Sequence, residues 1–267
     1  MTLPSIPRGV IRNHEADPRQ RLIVALDVST AAAAQKIVAA VGESALTYKV
    51  GMQLYTAEGP PVVRDLVAAG RRVFLDLKYH DIPNTVGAAV AEAGKLRVSM
   101  LTVHAAGGEK MLRAAVKAAQ PNPDLSVLAV TVLTSLGEAD LEKTGFLGSP
   151  TENVLRLASL ALDSGCQGIV TSAREAAAVR AKLGNNFAIV TPGVRPAGAD
   201  VADQVRVVTP AEAIAAGATH IVVGRPITEA ADPAAEARAI LAEIRRVGMP
   251  GAGALRDEAG AQKEKSR

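Results

Sequence analysis

The chain has 267 residues, 48% hydrophobic and 21% charged, the balance of a soluble globular protein long enough to bury a full core. One cysteine, Cys166, excludes a disulfide framework and a cysteine zinc site, and 2% aromatic residues with no Trp argue against a stacking platform for nucleic acid. The net charge of +3 sits in the two ends, because residues 22–247 sum to zero, so the body lacks the basic stripe a polyanion needs.

The N-terminal MTLPSIPRGVIRNH has no apolar core for a secretory signal. No run of about 18 apolar residues exists, so no membrane span is expected. With a lone cysteine, the expected location is cytoplasmic. Residues 1–20 read as a mostly flexible segment and residues 248–267, rich in Gly, Ala, Lys and Glu, as a disordered tail. That leaves 21–247 as one folded domain.

Within it, short apolar, often β-branched runs alternate with Ala-rich stretches. The first run is LIVAL at 22–26, followed by the helical AAAAQKIVAAV at 31–41. TYKV at 47–50, RVFLDL at 72–77 and MLTVH at 100–104 come next. LSVLAVTVL at 125–133 precedes a longer connection, 134–167, which has room for an extra short helix before a main one at 151–164. GIVT at 168–171, FAIVT at 187–191 and HIVVG at 220–224 complete the strands, and AAEARAILAEIRRV at 234–247 is a closing helix. The runs lack strict alternation, which suits parallel strands buried on both faces. Gly70, Gly94, Gly165 and Gly217 read as helix C-caps. Eight such units match an α/β fold of the (β/α)8 TIM-barrel class, typically ~250 residues. The alternative is a doubly wound open sheet, but Asp27-Val28-Ser29-Thr30 after the first strand carries no glycine fingerprint.

In a barrel the site forms at the C-terminal strand ends. Asp27, Lys49, Asp76, Lys78 and His104 lie there, with Thr131, Thr134 and Ser135 after the fifth strand and Thr191 at the end of the seventh. Unpaired charge is costly so near a barrel axis. The sharpest feature is DLKYHDIPNT at 76–85. Asp76 and Lys78 are two apart on a strand and so share a face, and Asp81 follows in the loop. A lysine held between carboxylates is a positioned proton donor rather than the nucleophilic amine of Schiff-base chemistry. The plainer alternative is a structural ion-pair network at the rim.

TPGVRP at 191–196 and VVGRPI at 222–227 each join a glycine turn to an arginine. Loops after the seventh and eighth strands frequently bind phosphate in this fold, through backbone N–H groups and a charge-assisted Arg contact. The plainer alternative is an ordinary turn with a solvated arginine. The stretch from Gly193 to Thr209 is a candidate lid. Cys166 reads as a packed thiol and His220 as a stability residue. His80 reads as positional, His104 as a hydrogen-bonding support for the site, and His14 as part of the polar end.

LIVALD, YKVG, FLDLKYHDIPNT, LTVHAAGG, VTVLTS, TPGVRP and VVGRPIT, in that order, resemble the orotidine 5'-phosphate decarboxylase family of the bacterial kind, from about residue 21 to 247. The resemblance implies a lyase of pyrimidine (UMP) biosynthesis that converts orotidine 5'-phosphate to uridine 5'-phosphate and CO2 without metal or cofactor. It implies that Asp27 and Lys49 bind the ribose hydroxyls, with Lys49 also joining the charged network. Asp76 faces the substrate carboxylate and Lys78 protonates C6 of the pyrimidine. Asp81, Ile82 and Thr85 reach the neighbouring subunit's site, so a homodimer is implied. Thr134 and Ser135 contact the pyrimidine, and Arg195, Gln204, Gly224 and Arg225 hold the phosphate. A magnesium-dependent sugar-phosphate decarboxylase or aldolase of the same barrel group is one rival, but it looks for Glu where this chain has Lys49, a cation that repels the metal. A non-catalytic phosphate-binding barrel is the other, and it has no need of Lys78 flanked by acids.

Overall fold

Runs of apolar residues with both faces to bury need a parallel sheet covered on both sides, and the computed structural model of the chain supplies one. The structure describes residues 17–196 and 208–247. Strands β1 (Leu22–Ala25), β2 (Thr47–Gly51), β3 (Arg72–Tyr79), β4 (Met100–His104), β5 (Ser126–Val130), β6 (Gly168–Val170), β7 (Ala188–Thr191) and β8 (His220–Val223) follow in chain order around a closed barrel. β8 closes on β1 in parallel, Val24 opposite Val223. The connections hold helices α1 (Ala31–Val41), α2 (Met52–Glu58), α3 (Pro60–Ala68), α4 (Pro83–Lys95), α5 (Gly108–Ala119) and α6 (Glu138–Lys143). They continue with α7 (Pro150–Asp163), α8 (Ala173–Leu183), α9 (Pro210–Ala215), α10 (Arg225–Thr228) and α11 (Pro233–Val247). The fold is the TIM barrel expected from the strand pattern, not the open sheet.

Alternation along each strand sorts two cores. Ile23, Ala25, Phe74, Met100, Leu128, Ala188, Val190 and Val222 fill the barrel axis. Their neighbours Leu22, Val24, Leu75, Leu101, Val127, Ile189 and Ile221 face outward into the shell of helices. The axis is therefore a packed floor, and open space begins only above it.

Several local expectations need adjustment. The run 125–133 is strand only from Ser126 to Val130, because Val132 and Leu133 turn out to line cavities above the barrel. Gly70, Gly165 and Gly217 do adopt left-handed backbone just past α3, α7 and α9. Gly94 does not cap anything. It lies inside α4, where a Cβ would fall 2.3 Å from Nδ2 of Asn122, and Arg97 takes the left-handed turn instead, at φ 59°. The extra helix expected in the long connection is α6, and α7 starts one residue earlier than its periodicity suggests, at Pro150. Residues 17–20 are structured rather than loose. Pro18–Gln20 form a 3-10 turn capped by Asp17, and Gln20 accepts a hydrogen bond from Arg72 at 3.0 Å. The remainder of the two expected flexible ends, including His14, lies outside the described residues.

Candidate active site

The C-terminal ends of β1, β2 and β3 bring four charges together. Register places Ala25 beside Lys49 and Gly51 beside Asp76. Lys49, at the barrel mouth, donates to Asp27 Oδ1 at 2.7 Å and stands 4.0 Å from Asp76 Oδ2. Asp76 in turn holds Lys78 Nζ with both oxygens, at 2.9 and 2.8 Å. The result is a row of alternating sign, Asp27–Lys49–Asp76–Lys78, in which each inner charge lies beside two opposite ones. That alternation is what makes charge tolerable in a site where Lys49 and Asp76 side chains are only 11% and 12% exposed. Gly51 leaves room for it, since a Cβ there would lie 3.0 Å from Lys49 Nζ and 3.3 Å from Asp27 Oδ1.

Asp76 and Lys78 converge as the spacing suggested, but simple strand alternation is not the cause. Lys78 has φ 51°. The pairing of β3 with β4 slips there, passing from Leu75–Leu101 directly to Tyr79–Val103. Left-handed backbone is sterically costly for a lysine. At this bulge Thr102 fills the gap in the ladder. Its hydroxyl accepts the Lys78 backbone N–H at 2.9 Å and donates to Asp76 Oδ1 at 2.9 Å. Neither Thr102 nor Gly51 was singled out from the sequence. The available signal for Thr102 was a hydroxyl two residues from Met100, on the face of the strand that points to the barrel axis.

Across the opening, the loops after β7 and β8 face this row. Asp27, Lys49, Asp76, Lys78 and Thr134 line a cavity of about 590 Å³ together with Gly193, Arg195, Gly224 and Arg225. Its floor is apolar, from Phe74, Val130, Val170 and Val222. Arg195 N–H donates to Val208 O at 3.0 Å, which ties the two sides of the β7 loop together. Ser135 lines an adjoining cavity of about 320 Å³ with Thr134, Ser172 and Gly193. Asp81, Ile82 and Thr85 are exposed and do not line the large cavity of their own chain. Asp81 Oδ1 accepts the Ile82 N–H at 2.6 Å, and Ile82 is 65% exposed. Among the described residues, therefore, Lys78 contacts one acid of its own chain, Asp76, instead of lying between two. Gln204 and most of the candidate lid lie outside the described residues.

The histidines behave differently from one another. His104 stacks on His80, ring centroids 5.3 Å apart, and its buried Nδ1 has no hydrogen-bond partner among the described residues. The expected hydrogen-bonding support is thus a ring stack. Burial, followed by the charges of His80 and Lys78, lowers the His104 pKa from its usual 6.5. His220 is buried at the start of β8, with Nδ1 2.9 Å from the Thr219 hydroxyl. Cys166 is 3% exposed, and burial pushes its thiol up to about 12, as a packed thiol requires. Among the described residues no group of three or more His, Cys, Asp or Glu side chains is gathered for a metal, and no helix is long and apolar enough to cross a membrane.

An alternating charge row above an apolar floor, with two arginines opposite, suits an anionic small molecule. Comparison with known proteins gives that arrangement a context. Residues 20–240 match the family described as Orotidine 5'-phosphate decarboxylase / HUMPS family. The orotidine 5'-phosphate decarboxylase of Anaeromyxobacter dehalogenans is 55% identical over 227 residues, 85% of this chain and 99% of the relative. That of Halorhodospira halophila is 53% identical over 229 residues, 85% of this chain and 97% of the relative. The crystal structure of orotidine 5'-phosphate decarboxylase from Lactobacillus acidophilus superposes with a TM-score of 0.76 at 37% identity, covering 84% of this chain and 99% of that one.

Proposed function

This chain belongs to the orotidine 5'-phosphate decarboxylase / HUMPS family, and from that premise we infer how it decarboxylates orotidine 5'-phosphate to uridine 5'-phosphate and CO2 in pyrimidine biosynthesis. The bond from C6 to the carboxylate breaks, CO2 leaves, and the electron pair stays on C6. Lys78 Nζ then delivers the proton. The uracil ring offers that electron pair no obvious sink, so fixed charge must stabilise it, and the Lys78 ammonium is the cation in place. Asp76, against the substrate carboxylate, raises the energy of the bound ground state by repulsion.

The other roles follow the same reading. Asp27 and Lys49 hold the ribose hydroxyls, and Thr134 and Ser135 contact the pyrimidine. Arg195, Gln204, Gly224 and Arg225 bind the phosphate, whose distant contacts help align the base. Exposed Asp81, Ile82 and Thr85 enter the site of a second copy, so that Lys78 gains its second acid in a homodimer working in the cytoplasm. The barrel 21–247 is the catalytic domain. The observation that carries the proposal is Lys78 Nζ, gripped by both Asp76 oxygens, in the same cavity as Arg195 and Arg225. The magnesium-dependent reading is disfavoured by Lys49, whose ammonium already bridges the carboxylates of Asp27 and Asp76 that would ligate the ion.

The test is the ultraviolet absorbance change of orotidine 5'-phosphate on adding protein, with and without EDTA. Rapid conversion insensitive to EDTA is expected. Conversion abolished by EDTA restores the magnesium reading, and no conversion by folded protein leaves a phosphate-binding barrel. Lys78→Ala is expected to abolish turnover and keep the native circular dichroism. Near-normal turnover in that variant removes Lys78 from the mechanism.

A further inference from the structure

The row of charges leaves one question open, namely what keeps Lys78 in an unfavourable backbone conformation. A side chain with φ 51° relaxes unless its surroundings hold it. Regular pairing does not, because the β3–β4 ladder is interrupted between Leu75 and Tyr79. In an unbroken parallel ladder a backbone carbonyl would receive the Lys78 N–H. Here the acceptor is the Thr102 hydroxyl, at 2.9 Å. The same oxygen gives its proton to Asp76 Oδ1 at 2.9 Å. A hydroxyl has one proton to give and lone pairs to accept with, so both bonds form together. Thr102 is wholly buried, so its hydroxyl is held by these protein partners and not by bulk solvent.

We propose that Thr102 is a positioning residue for the decarboxylation, its hydroxyl fixing at once the backbone of Lys78 and the carboxylate of Asp76. The inference rests on the reading of Lys78 and Asp76 given above. Through the first bond it holds the bulge that aims the lysine into the cavity. Through the second it fixes the orientation of the carboxylate whose two oxygens chelate Nζ. The two catalytic groups are thereby locked to one another, not merely placed on the same strand. Misplacement by a fraction of an ångström is enough to lower the rate when catalysis depends on preorganised charge. Thr102 lines no part of the substrate cavity, so substrate binding has little to lose.

The experiment compares Thr102→Val, which keeps the shape and removes the hydroxyl, with Thr102→Ser, which keeps the hydroxyl. Lys78→Ala is assayed beside them. For Thr102→Val the expected result is a fall in kcat of about 10- to 100-fold with KM within about threefold, the signature of an interaction used in the transition state. Thr102→Ser is expected to restore kcat to within about threefold of the parent. Binding of the product, uridine 5'-phosphate, should be unchanged in both. If Thr102→Val keeps its kcat while Lys78→Ala loses turnover, the positioning role is overturned and the lysine reading stands. If Lys78→Ala is itself active, the underlying reading fails first. A rise in KM matching the loss of kcat/KM, or a serine variant as poor as the valine one, also overturns the proposal. If Thr102→Val does not fold, Thr102→Ala takes its place. Loss of the fold in both assigns the hydroxyl to stability and ends the proposal.

Discussion

Lys78 and Arg97 are the described non-glycine residues with left-handed backbone, and they differ in purpose. Arg97 ends a helix; Lys78 interrupts a strand to face its own near neighbour Asp76. The pair was legible in the sequence because acid and base two apart on an inner strand have no packing explanation. The means of holding them was not legible, since Thr102 sits in MLTVH as an ordinary β-former and acquires meaning only beside the bulge. A second residue-scale consequence concerns His104. Its folded-state pKa lies below 6.5, so below that pH the unfolded chain binds a proton that the native chain resists. The His104 contribution to stability therefore falls as pH drops through 6.5 and is constant well above it. Between about pH 7.5 and about pH 5.5 the parent should lose more melting temperature than His104→Gln does. Equal losses over that interval would show that His104 titrates freely in the native state.

Among the elements, α7 shows how completely local chemistry can specify a helix start. Ser149 accepts the Glu152 N–H, Glu152 Oε2 accepts the Ser149 N–H at 2.8 Å, and Pro150 occupies the first turn. Replacing Ser149 with Ala should cost about 1 kcal/mol, the usual value of an N-cap. For a domain of this size that is a drop in melting temperature of about 2–4 °C, with kcat unaffected. A shift within measurement error would mean that the cap is redundant with packing of α7 on its neighbours. Strand ends were less legible. The apolar run 125–133 continues past Val130 because Val132 and Leu133 are needed at the cavity, and hydrophobicity alone does not distinguish a cavity wall from a strand core. Gly94 is the same problem in a helix: its spacing imitates a cap, but its small size serves the close approach of Asn122.

At the scale of the whole molecule, a shared-site dimer makes a prediction that a self-contained barrel does not. On the proposed reading, Lys78→Ala lacks the proton donor in every site, and Asp81→Ala lacks the acid that a shared-site dimer would give to the neighbour. Unfolding and refolding the two variants together should produce mixed dimers in which one site pairs the intact Lys78 of one chain with the intact Asp81 of the other. Activity should rise to about a quarter of the parent value, from statistical assortment into dimers with one complete site. Activity no higher than the average of the two separate variants would mean that each barrel works alone.

The sequence by itself determined the eight-strand period, the parallel arrangement, the ends at which charge collects, and through its motifs the family. These are local or periodic properties, set by which faces must be buried and which residue types cap, turn or carry charge. Only the tertiary structure decided that Lys49 lies between Asp27 and Asp76, that Gly51 leaves space for that pair, and that Thr102 secures Lys78. Each depends on register between strands distant in the chain, on a bulge in one of them, and on distances of a few ångströms that no spacing along the sequence encodes.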